Sequence, residues 1–147
     1  MVLGDTGPDF RGDDFVVTGQ ELRIINRTKP QEIGPHFFTL VNPDDIPRGV
    51  EENRKCEQNK IICGQLVDAH NIRTNPGFDV RRQLAKAGAP GWDTVFTKDS
   101  KGDSWFTQEK NETVVQTVSA TGSSTTLKYF CIIHRGMNGK ITVNPTR

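Results

Sequence analysis

The 147-residue chain reads as an all-β protein, a sandwich or closed barrel carrying a partly helical insertion. Three observations lead there. Short runs rich in β-branched and aromatic residues occupy both ends of the chain, turn residues separate them, and a middle stretch at about 42–100 lacks that character. Several short strands punctuated in this way favour two packed layers or a closed barrel, because each strand has a face to bury. The length suits a single domain over 1–147, with the middle stretch laid over the barrel, since it holds too few large apolar residues for a core of its own.

Each element follows in order. Strands are expected at Phe15 to Thr18 and Glu21 to Arg27, divided by Gly19-Gln20, and at His36 to Val41 after Gly34-Pro35. In the last of these, His36, Phe38 and Leu40 share one face while Phe37, Thr39 and Val41 share the other. Both faces carry apolar groups, which predicts an interior strand. Asn42-Pro43-Asp44-Asp45 with Pro47 predicts a turn or helix start, and the charged stretch Val50 to Lys60 a short surface helix. Val80, Leu84 and Ala87 stand at helical spacing, so a helix is read over Phe78 to Lys86 with Gly88 placed to end it. Ala89-Pro90-Gly91 and Asp99 to Asp103 read as loops, and Trp92, Trp105 and Phe106 as packing between insertion and barrel. Strands return at Thr113 to Ser119, at Thr125 to Ile133 after the turn Thr121-Gly122-Ser123-Ser124, and at Lys140 to Val143 after Asn138-Gly139.

Charge excludes some classes of partner. Nineteen basic and 18 acidic residues leave a net charge of +1, and the two signs are interspersed, so neither a nucleic-acid tract nor an anionic-membrane footprint is present. No apolar stretch approaches the roughly 18–20 residues that a membrane-spanning helix needs. The start, Met1-Val2-Leu3-Gly4-Asp5, has no basic and apolar regions of an export signal, which points either to a cytosolic protein or to a signal removed beforehand.

The cysteines bear on that choice. Cys56 and Cys63 are close together in a polar stretch, whereas Cys131 sits far away in an apolar run. The simplest assignment is a Cys56–Cys63 disulfide and a free Cys131, the competing one being unpaired thiols in a cytosolic protein. So short a loop would contribute only roughly 2–3 kcal/mol on the chain-entropy account. Its main message is an oxidising, periplasmic or extracellular location. Asn26-Arg27-Thr28 and Asn111-Glu112-Thr113 match the glycosylation acceptor pattern, a match common by chance.

The segment Tyr129-Phe130-Cys131-Ile132-Ile133-His134-Arg135-Gly136-Met137 places a thiol, an imidazole and a thioether at C-x-x-H-x-x-M spacing. A thiolate is a strong soft donor, an imidazole an intermediate one and a thioether a weak one. Together they suit copper, which such a site must accept in both Cu(I) and Cu(II) states. A second imidazole is then required. His36, at the start of an interior strand, is the candidate, which makes the expected metal ligands His36, Cys131, His134 and Met137. Taken singly, each has a plain alternative as a packing residue. His70, in Asp68-Ala69-His70-Asn71, has no supporting pattern and reads as an exposed loop residue.

Gly34-Pro35-His36-Phe37-Phe38-Thr39-Leu40 at one end, and Tyr129 to His134 with Met137-Asn138-Gly139-Lys140-Ile141-Thr142-Val143 at the other, resemble the plastocyanin/azurin-like cupredoxins. Val17-Thr18-Gly19-Gln20-Glu21-Leu22 resembles the family's strand before the first histidine, and the short ligand loop is similar to that of amicyanin-type members. The resemblance covers about Asp14 to Val41 and Asn111 to Val143. It implies a Greek-key β-sandwich, one mononuclear type 1 (blue) copper, and an electron exit at the edge of His134. One departure is Arg135, where members often have proline; it touches the docking surface rather than the ligand set.

The function expected is single-electron transfer between redox partner proteins by a non-enzymatic, monomeric carrier. Two rivals come from other classes. A copper carrier or buffer would use the same donors without electron traffic. A copper oxidoreductase would need a further centre built from histidines, and with three histidines in the chain only His70, shared between subunits, remains for it.

Overall fold

The computed structural model of the chain describes residues 1–3, 9–12, 14–29, 31–70, 86–97, 99–119 and 123–146. Among the described residues, ten strands form two sheets. They are β1 (Val2–Leu3), β2 (Phe10–Arg11), β3 (Phe15–Val17), β4 (Glu21–Asn26), β5 (His36–Val41), β6 (Lys86–Ala87), β7 (Ser104–Thr107), β8 (Thr113–Thr117), β9 (Thr125–Phe130) and β10 (Asn138–Asn144). The smaller sheet runs β2-β1-β4-β8 and the larger β3-β10-β9-β5-β7-β6. This is the mostly-β, two-sheet architecture that the sequence predicts.

All six residues of β5 are buried, as expected of an interior strand. The reason is that both faces are covered, by different layers. Phe38, Leu40 and Tyr129 join Ile24, Trp92, Trp105 and Ile141 in the main core. Val41 and Phe130, one residue along from Leu40 and Tyr129, belong to a second cluster with Cys56, Ile62, Cys63, Leu66 and Phe96. At Leu40–Val41 and Tyr129–Phe130 the period-two pleat thus sends neighbouring residues into two separate cores, whereas Phe37 and Phe38 both join the main one.

Two helices supply the second cover, α1 (Gly49–Glu57) and α2 (Ile61–Ala69), preceded by a 3-10 turn at Pro43–Asp45. α1 matches the surface helix read from Val50 to Lys60, with Glu51 and Glu52 in its first turn and Arg54 and Lys55 in its last, the order that suits the helix dipole. α2 is not anticipated by the sequence. It buries Ile62, Cys63, Leu66 and Val67 and begins after Asn59, whose left-handed backbone (φ 55°) breaks it from α1. The Cys56–Cys63 disulfide ties the two helices together, with Cα atoms 5.1 Å apart.

The helix read over Phe78 to Lys86 falls on 71–85, outside the described residues, and Lys86 itself lies in β6 at the edge of the larger sheet. Trp92 and Trp105 are fully buried in the main core and Phe106 packs with them; Trp105 and Phe106 are strand residues of β7, paired with Phe38 and Phe37. The aromatic pair of β7 therefore belongs to the barrel itself.

Gly139 shows how tightly this sheet is built. It pairs across strands with Tyr129, and a Cβ at that position would meet the Tyr129 Oη at 2.5 Å and Cζ at 2.6 Å. The ring cannot retreat freely, because its centroid is 4.8 Å from those of both Phe10 and Phe38. Gly139→Ala is expected to destabilise the protein by about 1–3 kcal/mol through overpacking, to be read from urea denaturation; an unchanged midpoint would contradict this packing.

Candidate metal centre

Backbone pairing brings the two ends of the chain together. β5 and β9 are antiparallel neighbours, with Thr39 opposite Phe130 and Leu40 opposite Tyr129. His36, the first residue of β5, therefore lies at the same end of the sheet as Cys131, the residue after β9. Gly34 enters that end with φ +86°, a left-handed turn that glycine adopts without Cβ strain.

His134 and Met137 lie in the tight connection from β9 to β10. The Cys131 N–H donates to the Met137 carbonyl at 2.8 Å and the Met137 N–H to the His134 carbonyl at 3.1 Å, so the connection closes on itself. Gly136, with φ +74°, permits the reversal.

Within this frame His36, Cys131 and His134 each offer one ligand atom, and the three atoms lie within 4.8 Å of one another. The Cys131 sulfur is 3.6 Å from His134 Nδ1 and accepts the Phe37 N–H at 3.4 Å. The two imidazole centroids are 4.7 Å apart. His134 donates its Nε2–H to the Ile33 carbonyl at 2.9 Å, which leaves the Nδ1 lone pair on the side of the sulfur. His36 Nδ1 is buried without a hydrogen-bond partner among the described residues. A buried polar atom left so is costly unless something else binds it. Met137 is buried in the same cluster as Cys131 and lines the same cavity as Cys131 and His134.

Electrostatics in the metal-free chain keep the site neutral. Burial, and after it the nearby His134, holds the His36 pKa down at about 4 against an ordinary 6.5. Burial also pushes the Cys131 thiol up, against the opposing pull of backbone N–H groups of Phe37, Ile133 and His134. The site is thus a neutral imidazole beside a thiol, and a metal would have to displace the thiol proton. Two nitrogens and one sulfur without a carboxylate suit a soft or borderline transition metal and not magnesium or calcium. The residues present therefore fit copper.

One expectation needs correcting. His70 is not an exposed loop residue; it caps the end of α2, is 2% exposed, and its Nε2 lies 2.9 Å from the Ser104 hydroxyl of β7. Burial of α2 against the sheet carries it inward, a tertiary effect with no local signature. Asn26 and Thr28 are 0% and 1% exposed, so that acceptor pattern has no accessible amide. Arg135 reaches sideways, its Nε 2.6 Å from Glu57 Oε1, and links the ligand loop to α1. His134 is half-buried, with its outer nitrogen already engaged by Ile33.

The depressed His36 pKa has a signed consequence for stability. The folded chain binds this proton less readily than the unfolded one, so stability rises with pH between about 4 and 6.5 and is lost as the pH falls through that window. Metal-free protein should lose about 3 kcal/mol from this group between pH 7 and pH 4. Urea titrations across that range should show a shallower slope for His36→Gln than for the wild type; parallel slopes would contradict the assignment.

No family model matches the chain, and no curated protein does. Among solved structures, the chain is similar to auracyanin A, a "blue" copper protein from the green thermophilic photosynthetic bacterium Chloroflexus aurantiacus, at 21% identity over 98% of this chain and 97% of that one, with a TM-score of 0.41. It is also similar to auracyanin B, at 15% identity over 92% of this chain and 78% of that one, with a TM-score of 0.33. Neither likeness is close enough to assign the site, which stands on its own donor atoms. In its two-sheet architecture and its His-Cys-His cluster, the chain resembles the cupredoxins.

Proposed function

We propose that the protein is a single-electron carrier that holds one copper ion, of the type 1 (blue) class, through His36, Cys131, His134 and Met137. The observation that carries this reading is the convergence of two imidazole nitrogens and a thiol sulfur within 4.8 Å at one end of a rigid sheet. Bound copper supplies one-electron chemistry, cycling between Cu(II) and Cu(I).

The chain's own residues account for the rest. Cys131, as a thiolate, is the strongest donor, and the Phe37 N–H on its sulfur tempers its charge. His36 and His134 would complete the strong donor set through Nδ1, and Met137 would be the weak donor. Because β5, β9 and the closed loop fix these groups before any metal arrives, little has to move when the charge at the site changes. Ile133, 41% exposed beside His134, gives the neighbouring surface an apolar character suited to brief contact with redox partner proteins. The net charge of +1 offers little long-range steering.

The disulfide between Cys56 and Cys63 supports a periplasmic or extracellular setting. None of the described helices is long and apolar enough to cross a membrane. An oxidoreductase with a shared second centre is disfavoured, because His70, the remaining histidine, is buried against β7. A carrier that passes copper onward has no observation in its favour, since the three strong donors are buried or half-buried, His36 in β5 and Cys131 and His134 in the closed β9–β10 connection.

Cu(II) added to the purified protein should produce intense visible absorption from thiolate-to-copper charge transfer. Cys131→Ser should abolish the colour and leave the fold intact. Met137→Leu should keep the colour but raise the reduction potential, because removing a donor destabilises Cu(II) more than Cu(I). Fast electron self-exchange with slow copper loss to a chelator is the expected kinetic signature; the reverse pattern would make the protein a copper carrier.

A further inference from the structure

Both imidazoles of the proposed centre are held from behind by one short connection, the chain between β4 and β5. Ile33 accepts the outer N–H of His134, and Thr28 meets the outer nitrogen of His36 at 3.0 Å. Thr28 is itself part of a buried chain of side chains. Its Oγ1 lies 2.6 Å from Asn26 Oδ1, which also accepts the Thr28 backbone N–H at 2.9 Å. Asn26 Nδ2 then donates to Thr107 Oγ1 at 3.1 Å, and Thr107 donates to Glu112 Oε2 at 2.6 Å. Glu112 is held in turn by the backbone N–H groups of Gln108 and Glu109. Asn26, Thr28, His36 and Thr107 are all at most 1% exposed.

The direction of every bond in this chain is determined. A carboxylate only accepts, so the single hydroxyl proton of Thr107 points at Glu112 and Thr107 accepts from the Asn26 amide. The amide cannot be reversed, because its oxygen faces the Thr28 N–H. Two oxygens 2.6 Å apart need a proton between them, and only Thr28 has one to give. With that proton spent on Asn26, Thr28 Oγ1 can only accept from His36. The proton of the His36 ring must then sit on Nε2, and the buried Nδ1 lone pair is left without a partner among the described residues.

We propose that Thr28 is the positioning residue of the metal centre: oriented by Asn26, it locks His36 in the Nε2–H tautomer and aims its Nδ1 at the site before metal binds. The inference rests on reading His36, Cys131 and His134 as metal ligands. It gives the Asn26-Arg27-Thr28 triplet a role that the glycosylation pattern does not. It also explains the buried polar bridge between β4 of one sheet and β5 and β7 of the other, at the end of the sandwich where the donors meet.

Long-range proton–nitrogen NMR on metal-free wild-type protein at neutral pH should show His36 protonated at Nε2. Thr28→Val keeps the volume but removes the acceptor; it should shift His36 toward the Nδ1–H form and speed loss of copper to a chelator by about 10- to 100-fold, the usual range for partners behind a metal ligand. Thr28→Ser should restore both. An Nδ1–H tautomer in the wild type overturns the proposal, even where Thr28→Val fails to fold. So does a folded Thr28→Val with wild-type tautomer and copper loss. If the wild type binds no Cu(II), the functional reading fails, while the metal-free tautomer still decides whether Thr28 orients His36.

Discussion

The antiparallel pairing of β5 with β9 is the contact on which the site depends. Thr39 opposite Phe130 puts the first residue of one strand beside the residue that follows the other, and so brings His36 to Cys131 across most of the length of the chain. β5 is buried on both faces, and β9 buries Leu127, Tyr129 and Phe130 against the same two clusters, so their register has little freedom to slip. A one-residue shift would turn His36 away from the sulfur and move Phe38 and Leu40 out of the main core. Fold stability and donor geometry are in this sense one constraint.

Around that contact, the polar groups are arranged so that the donors are ready in the metal-free chain. Each imidazole spends its outer N–H on an acceptor supplied by the β4–β5 connection, and each inner nitrogen is left available. Burial keeps His36 uncharged and Cys131 protonated. The cost is an unpaired His36 Nδ1 in the interior, a group whose desolvation a bound cation would offset. Metal binding and folding are then linked, with the bound form more stable than the empty one. α1 adds a second hold on the ligand loop, through the Glu57–Arg135 pair.

Much of this was legible in the sequence, for identifiable reasons. β5, β8, β9 and β10 announce themselves by β-branched and aromatic alternation between turn residues, and C-x-x-H-x-x-M is a pattern of donors that packing alone seldom produces. What local sequence does not show depends on tertiary contact. α2 offers only nine residues and follows directly on α1, so its short apolar stretch carries little periodic signal. β7 is four residues flanked by glycine, aspartate and polar loop signals, and its strand identity comes from pairing with β5. β1, β2 and β6 have two residues each, below any pattern length. The Thr28–Asn26–Thr107–Glu112 chain joins residues more than 80 positions apart and has no trace in local spacing.

The central claim is that one thiolate sulfur and two imidazole nitrogens bind a single copper ion. X-ray absorption at the copper edge of the loaded protein addresses it most directly. One short copper–sulfur bond and two imidazole nitrogens are predicted, with the sulfur scatterer lost in Cys131→Ala. A first shell made only of nitrogen and oxygen, unchanged by that substitution, would contradict the account.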